Sequence, residues 1–257
     1  MEASPYEGIL KSPTFKFVVG EAKEELFLHS TLVASKSEVL GKMIKGPFIE
    51  GQLGYATLAD EDVQTVAAFA EFIYTGDYKI KIREDTPQCD DGIPVLPSRR
   101  FEDNTKILKR PSNEHWRIFT RSMEYGGRGC ATGFSWGIDT DCSNYFIAHA
   151  KISIFADCYG VAELLDLALN KLHRALCGFR LSRNRMNDIL TLVRFCYERP
   201  GLEKLKRLVA SYSAAIIDFR DDNVVAECLR NLVKERGDFA AALAWFMACR
   251  LSGHTEC

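Results

Sequence analysis

The chain has 257 residues, 47% of them hydrophobic, which is enough to bury a substantial apolar core in one large or two small domains without help from disulfides. Its 33 basic and 35 acidic side chains leave a formal net charge of -2, so no overall field draws it to nucleic acid or to an anionic membrane. No apolar run reaches the ~20 residues that a membrane-spanning helix needs, and nine cysteines behind an N-terminus without a secretory signal predict a protein of a reducing compartment, cytoplasmic or nuclear.

Residues 1–13 read as a tail. Beyond them Phe15, Phe17 and Val19 alternate with Lys16 and Val18, the period of two of a strand with one face on a core. After the polar turn 21–24, Leu26 and Leu28 alternate with Phe27, so residues 14–29 predict a β-hairpin. Val39, Leu40, Met43 and Ile44 then form a helical stripe, with Ser37 placed as its N-cap and Gly46-Pro47 as its stop. Residues 54–58 predict a third short strand. Asp60 stands where it would cap the next helix, on which Val66, Phe69, Ala70 and Ile73 share a face. That helix ends in Tyr-Thr-Gly-Asp-Tyr, where Gly76 fits a left-handed closing residue between two tyrosine plugs, Tyr74 and Tyr78.

Residues 81–144 break the pattern. Four prolines, a glycine-rich stretch and mixed charge give no sustained periodicity, so the segment reads as an insertion, its first half, 84–112, the more mobile. Its second half carries Trp116, Phe119, Tyr125, Phe134 and Trp136, too many aromatics for plain disorder. Two readings stay open: these rings meet a partner, or Trp116 and Trp136 lie on the domain as lids. Under the first, the flanking stripes contain the core and a chain lacking 84–140 still folds; under the second, the insertion belongs to the core and its loss lowers the melting temperature.

From Tyr145 onward the chain predicts helices. Val161, Leu164, Leu165, Ala168, Leu169, Leu172 and Leu176 follow the 3.6-residue period, and shorter stripes start at Met186, Leu202, Val225 and Phe239. Successive amphipathic helices joined by short turns imply helix-on-helix packing. The cysteines at 158, 196, 228 and 249 fall on or beside apolar faces, as small hydrophobes do. No C-x-x-C pair occurs, and Cys130, Cys142 and His149, at spacings of 12 and 7, fit no common zinc module. Neither a phosphate-cradling glycine loop nor a nucleophile or metalloprotease motif is present. No cofactor and no catalytic residue is expected.

The order of these segments resembles the BTB/POZ family, and most of all its fungal members. The resemblance rests on "FKFVVG" (15–20), "LFLHSTLVASKSEVLGKM" (26–43), "GPFIEG" (46–51), "FAEFIYTGDY" (69–78) and "ADCYGVAELLDLA" (156–168). It implies an α+β BTB/POZ fold, a small mixed sheet capped by helical hairpins, built from residues 14–80 and closed by helices in 145–177. Residues 178–257 would form a C-terminal helical extension similar to the tail of the fungal proteins. The family binds proteins, often as a homodimer, and performs no chemistry. His29 matches its structural histidine, a packed and hydrogen-bonded role that outweighs a catalytic one. Thr14 and Ser30 stand where members that hold corepressor peptides carry charges, which weighs against a corepressor-binding transcription factor.

Two functions follow as expectations. In the first, Phe48-Ile49-Glu50 stands where members that serve as substrate adaptors of cullin-type ubiquitin ligases carry a hydrophobic-x-Glu motif. Phe48 would be the apolar anchor and Glu50 a hydrogen-bond acceptor, toward the partner or toward its own loop. A purely structural role for the motif is the competing view, and exposure of the anchor decides between them. The second is a homodimerising scaffold or transcription-associated regulator without ligase connection, its interface drawn from Phe15, Phe17, Val39, Leu40 and Met43. In a partner-binding insertion, Trp116, Phe119 and Trp136 would carry the contact. Neither nucleic acid nor a membrane is expected as a partner.

Overall fold

The computed structural model describes residues 5–80, 113–121, 142–182, 185–217 and 224–252. The chain divides into two compact units, Met1–Ile80 with Lys151–Leu167, and Lys81–Ala150 with Ala168–Cys257. The fold is mixed α+β, mostly helical, with one small three-stranded sheet among the described residues.

The first unit begins with a short helix, α1 (Pro5–Leu10), where a tail was expected. The sheet follows from β1 (Thr14–Val19), β2 (Glu24–His29) and β3 (Tyr55–Leu58), in the order β2-β1-β3. β1 and β2 form the antiparallel hairpin, with Phe15 opposite Leu28 and Phe17 opposite Leu26. β3 joins β1 in parallel, with Phe17 beside Ala56 and Val19 beside Leu58. Since side chains alternate along a strand, Phe15, Phe17, Val19, Leu28, Ala56 and Leu58 all fall on one face, and all are buried. The other face carries Lys16 with Phe27 and Tyr55 in register on either side.

A parallel pair requires a crossover. Here it is made of α2 (Ser30–Lys36), α3 (Glu38–Lys45) and α4 (Ile49–Leu53). Ser37 caps α3 as expected: its hydroxyl accepts the Leu40 N–H at 3.0 Å and donates to the Tyr159 carbonyl at 2.6 Å. α5 (Val63–Thr75) is capped by Asp62 and not by Asp60. β3 runs to Leu58 and the turn occupies 59–61, so the Thr65 N–H, three residues into α5, comes within 2.8 Å of the Asp62 carboxylate. Lys151 pairs with the same carboxylate at 2.8 Å. Gly76 closes α5 at φ 80°, a conformation that costs glycine least. Tyr78 is fully buried, whereas Tyr74 is exposed. Phe69 meets Phe155 with ring centroids 5.3 Å apart.

Two long helices, α7 (Ser143–Cys158) and α8 (Ala162–Gly178), are each divided between the units, at Ala150/Lys151 and at Leu167/Ala168. The stretch 145–177, expected to close the first domain alone, therefore contributes to both cores. The predicted stripe from Val161 to Leu176 is buried throughout.

The second unit continues with α9 (Met186–Glu198), α10 (Glu203–Ile216), α11 (Val224–Glu235) and α12 (Gly237–Ser252). α10 packs on α9 and α12, and α11 on the same two helices. Met186, Ile189, Val193, Leu205, Val209, Tyr212, Leu229, Leu232, Phe239 and Phe246 are buried, as their spacing predicts. Leu202 is an exception: it precedes α10 in a left-handed conformation, φ 43°, after Pro200-Gly201. Cys196 is buried, and burial pushes its thiol up. Cys249 is disulfide-bonded, against the expectation of free thiols.

Among the described residues of the insertion, α6 (Glu114–Arg121) is a further helix, and it belongs to the core of the second unit. Asn113 caps it, its side-chain oxygen accepting the Trp116 N–H at 2.8 Å while its amide donates to the Ala215 carbonyl at 3.0 Å. Phe119, read as a partner-binding residue, is buried 4.7 Å from His173 and 5.5 Å from Tyr212, ring to ring. Trp116 is half-buried, 6.3 Å from Tyr212. A chain without 84–140 would lose these core groups, so the expectation that it folds intact is withdrawn. Trp136, and the mobile half expected at 84–112, lie outside the described residues.

Candidate functional site

The segment "GPFIEG" is shaped by its two glycines. A Cβ on Gly46 would strike the Lys42 carbonyl and lie 2.9 Å from the Phe48 ring; one on Gly51 would lie 2.9 Å from the Gly46 carbonyl and 3.1 Å from that of Ile44. α4 therefore sits backbone-to-backbone against the end of α3, closer than any side chain allows. With the two backbones in contact, no residue of α4 is buried. Phe48 is 54% exposed, Ile49 68% and Leu53 57%. Ile49 and Leu53, four residues apart, share a face of the helix, and Tyr55 follows in the adjoining strand. Glu50 is half-buried. Its carbonyl accepts the Gly54 N–H at 2.9 Å, and its carboxylate makes no hydrogen bond among the described residues. The acceptor proposed to steady the loop is thus not used for that purpose, and the apolar anchor is in solvent.

The proposed dimer residues separate into two groups. Phe15, Phe17 and Leu40 are in the core, because β1 turns its large rings toward the helices and α3 buries its Leu40–Gly41 side, so they cannot be offered to a second chain. Val39 remains exposed and Met43 half-buried. The open face of the sheet presents an apolar group that the sequence reading did not single out, Phe27, which is 58% exposed. In register with it, the Lys16 ammonium lies 5.3 Å from the centre of the Tyr55 ring and 2.9 Å from Glu25. The signal was available: Phe27 is out of phase with Leu26 and Leu28.

His29 is hydrogen-bonded as expected. Its Nδ1 lies 2.7 Å from the Tyr74 hydroxyl, which also accepts the His29 backbone N–H at 3.3 Å. Ser30 is buried, its N–H donating to the Pro13 carbonyl at 3.0 Å. Tyr74 thus ties the end of α5 to the junction of β2 and α2, a structural office for the histidine and for the exposed member of the tyrosine pair.

Within the second unit, polar groups cluster where sequence reasoning placed none. Asp188, on the buried side of α9, accepts the Cys142 N–H at 3.2 Å and lies 3.6 Å from the Arg185 guanidinium. Arg185 donates to the Cys142 sulfur at 2.7 Å and stacks on Phe179, 4.3 Å from its ring centre. A buried carboxylate in this position serves as a long-range cap for α7. Sequence signals for it were poor, because the partners are more than 40 residues apart. His149 and His173 are also buried. Burial pulls the imidazole of His149 well below its usual range, with Lys171 adding to the effect. His173 is lowered by burial against the opposing pull of its 2.7 Å bond with the Phe119 carbonyl. No three metal-ligating side chains converge among the described residues, and Cys130 lies outside them. No described helix is long and apolar enough to cross a membrane.

A scan of the chain against protein-family models finds no match, and no curated protein matches it.

Proposed function

We propose that this chain is a non-enzymatic protein-interaction module of the BTB/POZ kind, and that the α3–α4 loop docks it on the N-terminal domain of a cullin, as a substrate adaptor does. The family part of this reading is supported by an antiparallel hairpin whose first strand takes a third strand in parallel, with three short helices in the crossover, the second capped by Ser37. The observation that carries the docking part is the exposure of Phe48 and Ile49, held outward by the Gly46–Gly51 backbone contact. A large apolar anchor rimmed by a carboxylate is the composition of an interface centre more than of a free surface. The test is a pull-down of the full chain with a cullin N-terminal domain. Wild type should bind, and Phe48→Ala with Glu50→Ala should not; an unbound wild type, or a double variant that binds equally well, removes the adaptor reading.

A second reading, a homodimerising scaffold or transcription-associated regulator without ligase connection, is favoured by exposed Val39 and by the open sheet face with Phe27 and Tyr55. Sedimentation at micromolar concentration separates the two. A dimer dissociated by Phe27→Asp or Val39→Asp, with no cullin binding, supports the second reading, and a monomer that binds cullin supports the first.

A further inference from the structure

β2 lies at one edge of the three-stranded sheet, and its register with β1 shows which of its main-chain groups face outward. The Ser30 N–H crosses to the Pro13 carbonyl at 3.0 Å, and main-chain direction alternates along a strand, so Leu28, Leu26 and Glu24 turn their N–H and C=O groups toward β1. His29, Phe27 and Glu25 turn theirs away. The outward His29 N–H is met by the Tyr74 hydroxyl at 3.3 Å. The main-chain N–H and C=O groups of Phe27 and Glu25 have no partner among the described residues. An edge of this kind is a template for another strand, and a protein that only guards it places charge or proline at its middle. Here the middle is Phe27, 58% exposed. On the same face is exposed Glu25, its carboxylate 2.9 Å from Lys16. Glu21 and Glu24 are exposed and have no ion-pair partner among the described residues, so this end of the edge is acidic against a single exposed lysine of the turn, Lys23.

We propose that the outer edge of β2 binds an extended segment of a partner protein by strand addition, antiparallel to β2 and with the pattern apolar-x-basic-basic. In that register the apolar residue stands opposite Phe27 and exchanges both main-chain hydrogen bonds with it. The first basic residue, two positions on, does the same with Glu25, and the second stands opposite Glu24. Cross-strand pairs then join an apolar side chain to the Phe27 ring and a cation to each carboxylate. α4 packs on β3, so the Phe48 loop and the β2 edge are on opposite sides of β1. The edge therefore works without cullin docking, and the inference stands or falls apart from that reading.

The experiment titrates the full chain into a fluorescein-labelled synthetic peptide, Thr-Val-Thr-Ile-Thr-Lys-Lys-Thr, and reads fluorescence anisotropy. Binding in the micromolar range is expected. Backbone N-methylation of the isoleucine or of the first lysine removes a donor that faces β2 and should weaken binding at least about 10-fold. Methylation of the threonine between them blocks an N–H that points away from β2, and should change binding less than about 2-fold. Phe27→Asp in the protein should weaken binding of the unmethylated peptide at least about 10-fold. A peptide with both lysines replaced by glutamate should bind wild type poorly, and Glu24→Lys with Glu25→Lys should restore its binding. A peptide that does not bind wild type, or one indifferent to which N–H is methylated, would overturn the proposal. So would sedimentation at micromolar concentration that finds a wild-type dimer dissociated by Phe27→Asp, because a second copy of the chain would then close the edge.

Discussion

Phe48 and Phe119 enter the sequence in similar surroundings, an aromatic ring in a short, mostly polar stretch beside glycine or proline-rich chain, and both read as groups for a partner. Their fates differ. At Phe48 two glycines bring α4 so close to α3 that backbone meets backbone, and no volume is left in which a ring could be covered. At Phe119 the helix is placed against α10, and the ring fills space between His173 and Tyr212. An aromatic ring's availability is therefore decided by the spacing of the elements around it and not by the polarity of its own segment.

The comparison is broken most forcefully at its buried end. Phe119→Ala should cost about 3–5 kcal/mol, the range for deleting a buried ring with partial collapse of the site. In a chain of this size that corresponds to a fall in melting temperature of roughly 6–20 °C by calorimetry. A fall under about 2 °C would mean that Phe119 is not in the core. Asp188→Ala should come next, at about 3 kcal/mol or more, since it leaves Arg185 with its charge buried and removes an acceptor from the Cys142 N–H. The solvent-facing pair Lys16–Glu25 serves as the control and should yield under about 1 kcal/mol when broken.

Acid should act on the second unit in a defined direction. His149 and His173 have folded-state values below their usual one, so the folded state binds fewer protons than the unfolded chain. Their contribution is complete above about pH 6.5 and is lost as pH falls from there through the folded values, with a slope of at most about 1.4 kcal/mol per pH unit for each histidine. Melting temperature measured from pH 7.5 to 5 should fall in wild type and fall less in His173→Gln. A parallel decline in both would assign the acid sensitivity elsewhere. Smallest of all should be the effect of Phe48→Ala on stability, about 0.5 kcal/mol, although the same change should abolish cullin binding.

Most of the elements were legible because their signals are local. Strand alternation at Phe15, Phe17 and Val19, the Ser37 cap and the Gly76 closure each depend on a few neighbouring residues. The misreadings come from distance. Asp60 and Asp62 are equally good caps in sequence, and the length of β3 selects between them. Phe15, Phe17 and Leu40 have the composition of an interface and of a core alike, and the helices covering one face of the sheet decide which. α6 carries a capping Asn and a Phe at helical spacing, yet its partners are about 55 to 130 residues away, beyond any periodicity test. Phe48 is marked in the sequence by the resemblance alone; its exposure, and the close glycine contact behind it, could be seen only in three dimensions.

The central claim is that Phe48 is presented for docking while Phe119 is core, and hydroxyl-radical footprinting of the full chain, with and without a cullin N-terminal domain, tests it most directly. Alone, Phe48 should be oxidised readily and Phe119 should be protected at least 10-fold; adding the cullin domain should protect Phe48 and leave Phe119 unchanged. Phe48 as protected as Phe119 in the free chain, or a Phe48 rate that does not change at saturating cullin, would contradict the account.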